Sequence, residues 1–436
     1  MSGATAICHD SDDGRLRLAK SVRVAGIDLF RGSLVLLSAA AWLLPPAIRE
    51  WPDNVVFSFV AGQLQPSAWQ GITLFDLMMP GFLIVMGASA ALSIERRRSA
   101  GQVATAIVAH LARRCIALFV IGLIIDGGFP CPWSEVRWLG PWQRVAICNF
   151  CVGSLCLAAN SKLLLLLAGL VLVNYGLAFE MFPVAPPRAP TRRERPLEIN
   201  PYAMEYNIAA HVDQTFLPGR KYFGSWDPCG LLTTLPALAV TLLGAAGTGS
   251  LPKNGNTRIP APVCEGGPDR PLGASRRFSM GGRNGFVPIL IGTVMVNAGF
   301  LGSEWQPWNA SLLTPTFVLV TTGVSILTYS CFWLLERSLS WTRWMAAPAH
   351  VGRNALLLMT MLHVIGKFGS SHVSWAAQAM GFSRFYPQTL FAVVSFAALW
   401  CLLRGLSRYN NGVVGNDRSP SAALSPPHTT PPAPPS

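Results

Sequence analysis

The segment Trp69-Gln-Gly-Ile-Thr-Leu-Phe-Asp76 sets an indole, a hydroxyl and a carboxylate just ahead of an apolar run ending near Ser93. Polar groups at the mouth of such a run are costly to hold, so they need a reason to be there. Asp76 could orient a nucleophile or take a proton from it. Thr73 and Asp76 also have the Thr-x-x-Asp spacing that caps a helix start, so a structural job stands beside the chemical one. Asp28 and Arg31 open an earlier apolar run at positions i and i+3, where they share a helix face and can pair. They read either as an interfacial ion pair or as a cationic anchor for a phosphate-bearing cosubstrate. Gln143 and Arg144, in Gly140-Pro-Trp-Gln-Arg144, stand at the start of a further run, and Asp227-Pro-Cys-Gly230 leads into another. Arg144 has headgroup anchoring as its plain alternative, and Asp227 has helix capping. Of seven histidines, candidates for proton or acyl transfer, only His363 falls inside an apolar run. A packing histidine is the competing reading there.

These residues need elements to place them, and the composition says which kind. The chain of 436 residues is 51% hydrophobic and 13% charged, against about 25% charged in ordinary soluble domains. Uncharged runs near the length of a membrane helix predict an all-α, polytopic membrane bundle of about ten transmembrane helices. The expected limits are 27–45, 72–94, 106–126, 141–159, 162–182, 229–250, 286–302, 313–335, 350–368 and 388–405.

The net charge of +13 does not point to nucleic acid. Its cations cluster in short loops such as Arg96-Arg97-Arg98 and Arg113-Arg114, as topology signals do. By that rule both termini face the cytoplasm, and Trp69, Asp76, Gln143, Arg144 and Asp227 share the outward face. The loop 183–228 is the exception, carrying Arg188, Arg192, Arg193 and Arg195 on the outward side. Cys148-x-x-Cys151 has no second ligand pair, so packing rather than metal binding is expected, and no metal site is assigned. The organisation read from the chain is a cytoplasmic arm at 1–22 and a membrane domain at 23–408 with irregular loops at 183–228 and 251–285. A disordered Pro- and Ser-rich tail at 409–436 completes it.

Over roughly residues 21–405 the chain resembles the heparan-α-glucosaminide N-acetyltransferase family of multi-pass membrane acyltransferases. The pieces run in the family's order: Asp28-Leu-Phe-Arg-Gly32, Trp69 to Leu77, Pro80 to Gly87, Gly140 to Arg144, Asn207-Ile-Ala-Ala, Asp227 to Thr234 and Gly352-Arg-Asn-Ala-Leu356. The resemblance implies a bundle that takes an acetyl group from cytoplasmic acetyl-CoA and delivers it to an amino sugar or glycan beyond the membrane. The residues themselves leave Asp76 and His363 as the catalytic candidates, with His211 a further candidate base. Trp69, Thr73, Gln143, Arg144 and Asp227 would bind the acceptor, and Asp28, Arg31 and Asn354 the acyl donor. The location implied is a bacterial inner membrane, with the lipid bilayer as partner and a homodimer among the oligomeric states left open. The chain departs from the family at three places. Pro66 stands where relatives carry the catalytic histidine, Ala41-Trp42-Leu43 lacks an asparagine, and Cys229 replaces a glutamate. Proline can neither accept a proton nor hold an acyl group. An inactive pseudoenzyme and a transporter of small molecules or lipid-linked sugars therefore stand as the alternatives.

Overall fold

In the computed structural model the described residues are 25–48, 54–127, 132–184, 200–248, 286–338, 348–349, 351–364 and 387–416. The expected arm at 1–22, the loop 251–285 and the end of the tail lie outside them. The described chain forms helices α1 (Ala25–Ile48), α2 (Val55–Gln63), α3 (Met78–Ser99), α4 (Ala104–Ile125), α5 (Pro141–Ala158) and α6 (Ser161–Met181). It continues with α7 (Ile208–Phe216), α8 (Thr234–Gly247), α9 (Phe286–Gly302), α10 (Pro315–Ser338), α11 (Ala355–Val364) and α12 (Pro387–Asn416). Extended pairing among the described residues is confined to one isolated bridge, between Arg137 and Gly219.

Each expected apolar run coincides with one of these helices, yet about ten membrane spans is not what the helices themselves support. Five are long and apolar enough to cross a membrane: α1 from Gly26, α3, α4, α6 and α10 to Leu335. Others fall short for visible reasons. The 14 residues of α8 rise about 21 Å, against a hydrocarbon layer of about 30 Å. α11 has 10 residues, and α5 carries Gln143, Arg144 and Asn149 buried along its length.

The core sits around α8. Its residues Ala237, Ala239, Val240 and Leu242 join Leu83 of α3, Val152 of α5, Ala168 of α6 and Phe317 of α10 in one apolar cluster. Two glycines make the central crossing. A Cβ built on Gly87 would lie 2.0 Å from the Thr241 carbonyl oxygen, and one on Gly244 would lie 2.1 Å from that of Ile84. Only backbones without side chains fit so closely. The lipid-type residues are on the outside: Leu165, Leu166, Leu170 and Val173 of α6 and Leu290 and Val294 of α9 are exposed.

Cross-links fix which helix ends lie together. Ser38 of α1 donates to Met78 at the start of α3, while Arg31 bonds Ser89 farther along it. Arg144 at the start of α5 reaches Thr233 at the start of α8. Trp42 near the end of α1 packs edge-on against His363 of α11. One end of the bundle therefore gathers the ends of α1, α4 and α11, the starts of α3, α5 and α8, and the long connections. We call it the loop end.

Candidate functional site

At the loop end, residues 64–77 are folded round one carboxylate oxygen. Asp76 Oδ2 accepts from Thr73 N (3.0 Å), Thr73 Oγ1 (3.0 Å) and Ser67 N (3.2 Å), and the Thr73 hydroxyl also donates to the Gln65 carbonyl (2.7 Å). Thr73 and Asp76 thus pair as their spacing suggests, but they tie a loop. The helix itself starts at Met78, with Leu77 as its N-cap. Pro66 is an exposed member of the same loop. Trp69 pins it to the long connection. Its Nε1 donates to the Tyr202 carbonyl at 2.9 Å, and its ring meets Trp226 edge-on at 5.4 Å. Replacing Asp76 with Ala is expected to loosen 64–77, read as faster limited proteolysis there with the remaining spans protected.

A second network surrounds the starts of α5 and α8. Asp227 is fully buried and uses both oxygens. Arg137 clasps them through Nε (2.7 Å) and Nη2 (2.8 Å), and the backbone N–H groups of Tyr222 (3.0 Å) and Cys229 (2.8 Å) donate to them as well. Burial works against a charged guanidinium, but the Asp227 hydrogen bonds overcome it and hold Arg137 protonated more firmly than usual. Arg137 Nη1 also lies 3.8 Å from Asp126, at the end of α4, and its guanidinium stacks over the Tyr222 ring at 5.0 Å. Asp213 of α7 takes the N–H groups of Leu231 (2.9 Å) and Asp227 (3.2 Å). Its burial pushes the carboxyl pKa above the ordinary value, against those two donors. Gly230 is required beside it, since a Cβ there would lie 2.0 Å from the Asp213 carboxylate.

Arg144 Nη2 donates to the Thr233 hydroxyl (2.6 Å) and the Pro228 carbonyl. The Gln143 side-chain oxygen accepts from Gly140 N at 3.0 Å. Both side chains are buried, with Gln143 Nε2 and Arg144 Nε lacking a hydrogen-bond partner among the described residues. The Cys229 thiol is buried, and that burial raises its pKa. At the opposite end, Arg31 pairs with Asp28 at 3.4 Å and bonds Ser89, leaving its side chain 24% exposed. There the backbones of two motif segments touch. A Cβ on Gly32 would lie 1.7 Å from the Pro348 carbonyl oxygen, and one on Gly352 would lie 1.8 Å from that of Asp28. Asn354 follows this contact directly.

The structure therefore brings Trp69, Thr73, Asp76, Gln143, Arg144, Asp227 and His363 to one end, and Asp28, Arg31 and Asn354 to the other. The sequence reading did not single out Arg137, Asp126 or Asp213. For Arg137 a faint signal exists, as a lone arginine between aromatics in an otherwise cation-poor connection.

The comparisons with known proteins give a partial likeness. No family model matches the chain. A stretch of 140 residues, 30% of this chain and 19% of the relative, is 27% identical to heparan-alpha-glucosaminide N-acetyltransferase of Homo sapiens. A stretch of 93 residues, 20% of this chain and 14% of the relative, is 32% identical to the protein of the same name in Mus musculus. The matched stretches cover less than a fifth of the length of these curated relatives. Together with the apolar helices, they support an integral membrane protein loosely similar to a membrane N-acetyltransferase.

Proposed function

We propose that this chain is an integral membrane acyltransferase. It takes an acetyl group from acetyl-CoA at the Arg31 end and delivers it to an amino sugar or glycan at the loop end. The observation that carries the reading is the separation of two polar clusters at opposite ends of one apolar bundle, in a chain similar in part to a membrane N-acetyltransferase. A part-exposed guanidinium among apolar helices suits the phosphates of the donor. Arg31 would hold them, with Asp28 keeping the arginine in place and Asn354 beside it. Gln143 and Arg144 would place the acceptor, since buried donors lacking partners gain most from a ligand oxygen. Trp69, Thr73 and Asp76 would shape the loop over it, and Asp227 would brace the wall.

In this reading the Arg31 end faces the cytoplasm of a bacterial inner membrane, with both termini on that side. The bundle crosses the bilayer about ten times, with the short α8 enclosed by its neighbours. The exposed Pro66 supports a second reading, a pseudoenzyme that keeps the bundle and donor site without turnover.

The test is transfer from labelled acetyl-CoA by purified protein in nanodiscs, offered glucosamine and glycan acceptors. Labelled acceptor with wild type, lost in Arg31→Ala through a raised KM for acetyl-CoA, is the expected result. Product only in Pro66→His would favour the pseudoenzyme. No product and no acetyl-CoA binding in any variant would overturn the acyltransferase reading.

A further inference from the structure

A cavity of about 370 Å³ opens at the loop end. It is built where three helix ends and one connection meet, carrying Trp42 of α1, Asp126 after α4, His363 of α11 and the run Arg220-Lys221-Tyr222. Arg137 lines it as well, linking it to the buried network. Two cations, Arg220 and Lys221, face this space without an ion pair among the described residues.

The chemistry of the walls is unequal. Asp227 already holds four donors, and Asp213 two backbone N–H groups. Asp76 has three donors on a single oxygen and does not line this cavity. Imidazole is different, because it takes up and returns a proton near neutral pH. The ring of His363 is steadied by Trp42, edge-on at 5.5 Å and 70°. Asp126 is set by Arg137 at 3.8 Å, itself locked by Asp227. Gly140 makes room for it, since a Cβ there would lie 2.3 Å from Asp126 Oδ2.

We propose that the acceptor held at Gln143 and Arg144 extends its reacting group into this adjoining cavity, that His363 is the base which takes its proton, and that Asp126, which shares the space round Gly140 with Gln143, is a positioning residue for it. The inference rests on the acyltransferase reading and supplies the proton acceptor that Pro66 cannot be. In the step, the acceptor's nucleophilic atom attacks the thioester carbonyl carbon, forming the new C–N or C–O bond. The C–S bond breaks with its electron pair going to sulfur, and the nucleophile's proton passes to His363 and then to the thiolate or water. The cations have a role too. A protonated amine is repelled by Arg220 and Lys221, so an amino sugar binds best with its nitrogen neutral and nucleophilic.

The experiment uses full-length protein in nanodiscs, with acetyl-CoA, the acceptor found above and calorimetric acetyl-CoA binding as a folding control. His363→Gln is expected to lower kcat by about 10²–10⁴-fold while donor binding stays. It should also abolish the acid limb of the kcat–pH profile, the ionisable groups around the base being Asp126, Arg137, Arg220, Lys221 and Tyr222. Added imidazole should restore part of the rate in His363→Gly. Asp126→Asn should lower kcat with KM for acetyl-CoA unchanged and shift that limb, and Asp126→Glu should recover part of the loss. An active wild type with His363→Gln within about twofold would overturn this proposal and leave the acyltransferase reading standing. If the His363 variants fail to bind acetyl-CoA, the wild-type profile decides, since a kcat without an ionisation between about pH 5 and 8 overturns it. An inert wild type overturns both.

Discussion

Replacing Arg137 with Met is expected to cost about 3–5 kcal/mol of stability, because it strands a buried carboxylate. Asp227 is fully buried, and the Arg137 side chain is 10% exposed. The pair is therefore little screened, unlike a surface ion pair. Two backbone N–H groups on Asp227 remain in the variant but cannot neutralise its charge. The neighbouring carboxylate of Asp126 would feel the loss as well, leaving two acids around one missing cation. Adding Asp227→Asn should recover part of the stability by removing the orphaned charge. Arg137→Lys should fall between, since an ammonium cannot reproduce the two-pronged grip. Equilibrium unfolding in mixed micelles reads all three. A single variant within about 0.5 kcal/mol of wild type would mean that water reaches Asp227 and that the network is not the buried support described.

The second large effect is expected at the α3–α8 crossing. Gly87→Ala and Gly244→Ala each direct a methyl group at a backbone carbonyl oxygen, at 2.0 and 2.1 Å. A flexible side chain could swing aside, but a carbonyl held in a helix ladder cannot. The helices must part, and the cost should reach or exceed the upper part of the 1–3 kcal/mol typical of overpacking. Gly169 on α6 is the control, with nothing within 4 Å of its built Cβ, and Gly169→Ala should change stability by no more than about 1 kcal/mol. Size-exclusion traces after a temperature series separate the cases. Loss of the monodisperse peak is expected in the two crossing variants and not in the control.

Much of the fold can be read along the chain because membrane helices advertise themselves as apolar runs. The expected span 286–302 is α9 to the residue, and 162–182 is α6 to within one. Misplaced starts have a common cause. The run expected from 72 begins as a helix at Met78, and the one from 229 at Thr234. In both, polar side chains ahead of the helix bind local backbone groups and hold a turn: Thr73 with Asp76, and Thr233 with the Pro228 and Gly230 carbonyls. The short α2, exposed at Val55, Val56 and Phe59, lay inside a segment read as a plain loop. Its Asn54 cap, which accepts from Val56 and Phe57 N, was the available signal. A pair close in the chain, such as Thr73 and Asp76, shows in its spacing. Arg137 does not, because its partner is 90 residues away and no local period links two loops. His363 was visible as a histidine in an apolar run, but only the folded chain puts it in the lining of a cavity that Asp126 shares.

The brevity of α8 has a consequence for the placing of polar groups. A helix rising about 21 Å at the axis of the bundle is some 9 Å shorter than the oily layer around it. A short central helix leaves the remaining depth to irregular chain, and ahead of Thr234 that chain is the buried turn carrying Trp226, Asp227 and Thr233. Polar side chains can therefore sit at the axis of the bundle while a longer apolar helix such as α6 turns its leucines outward.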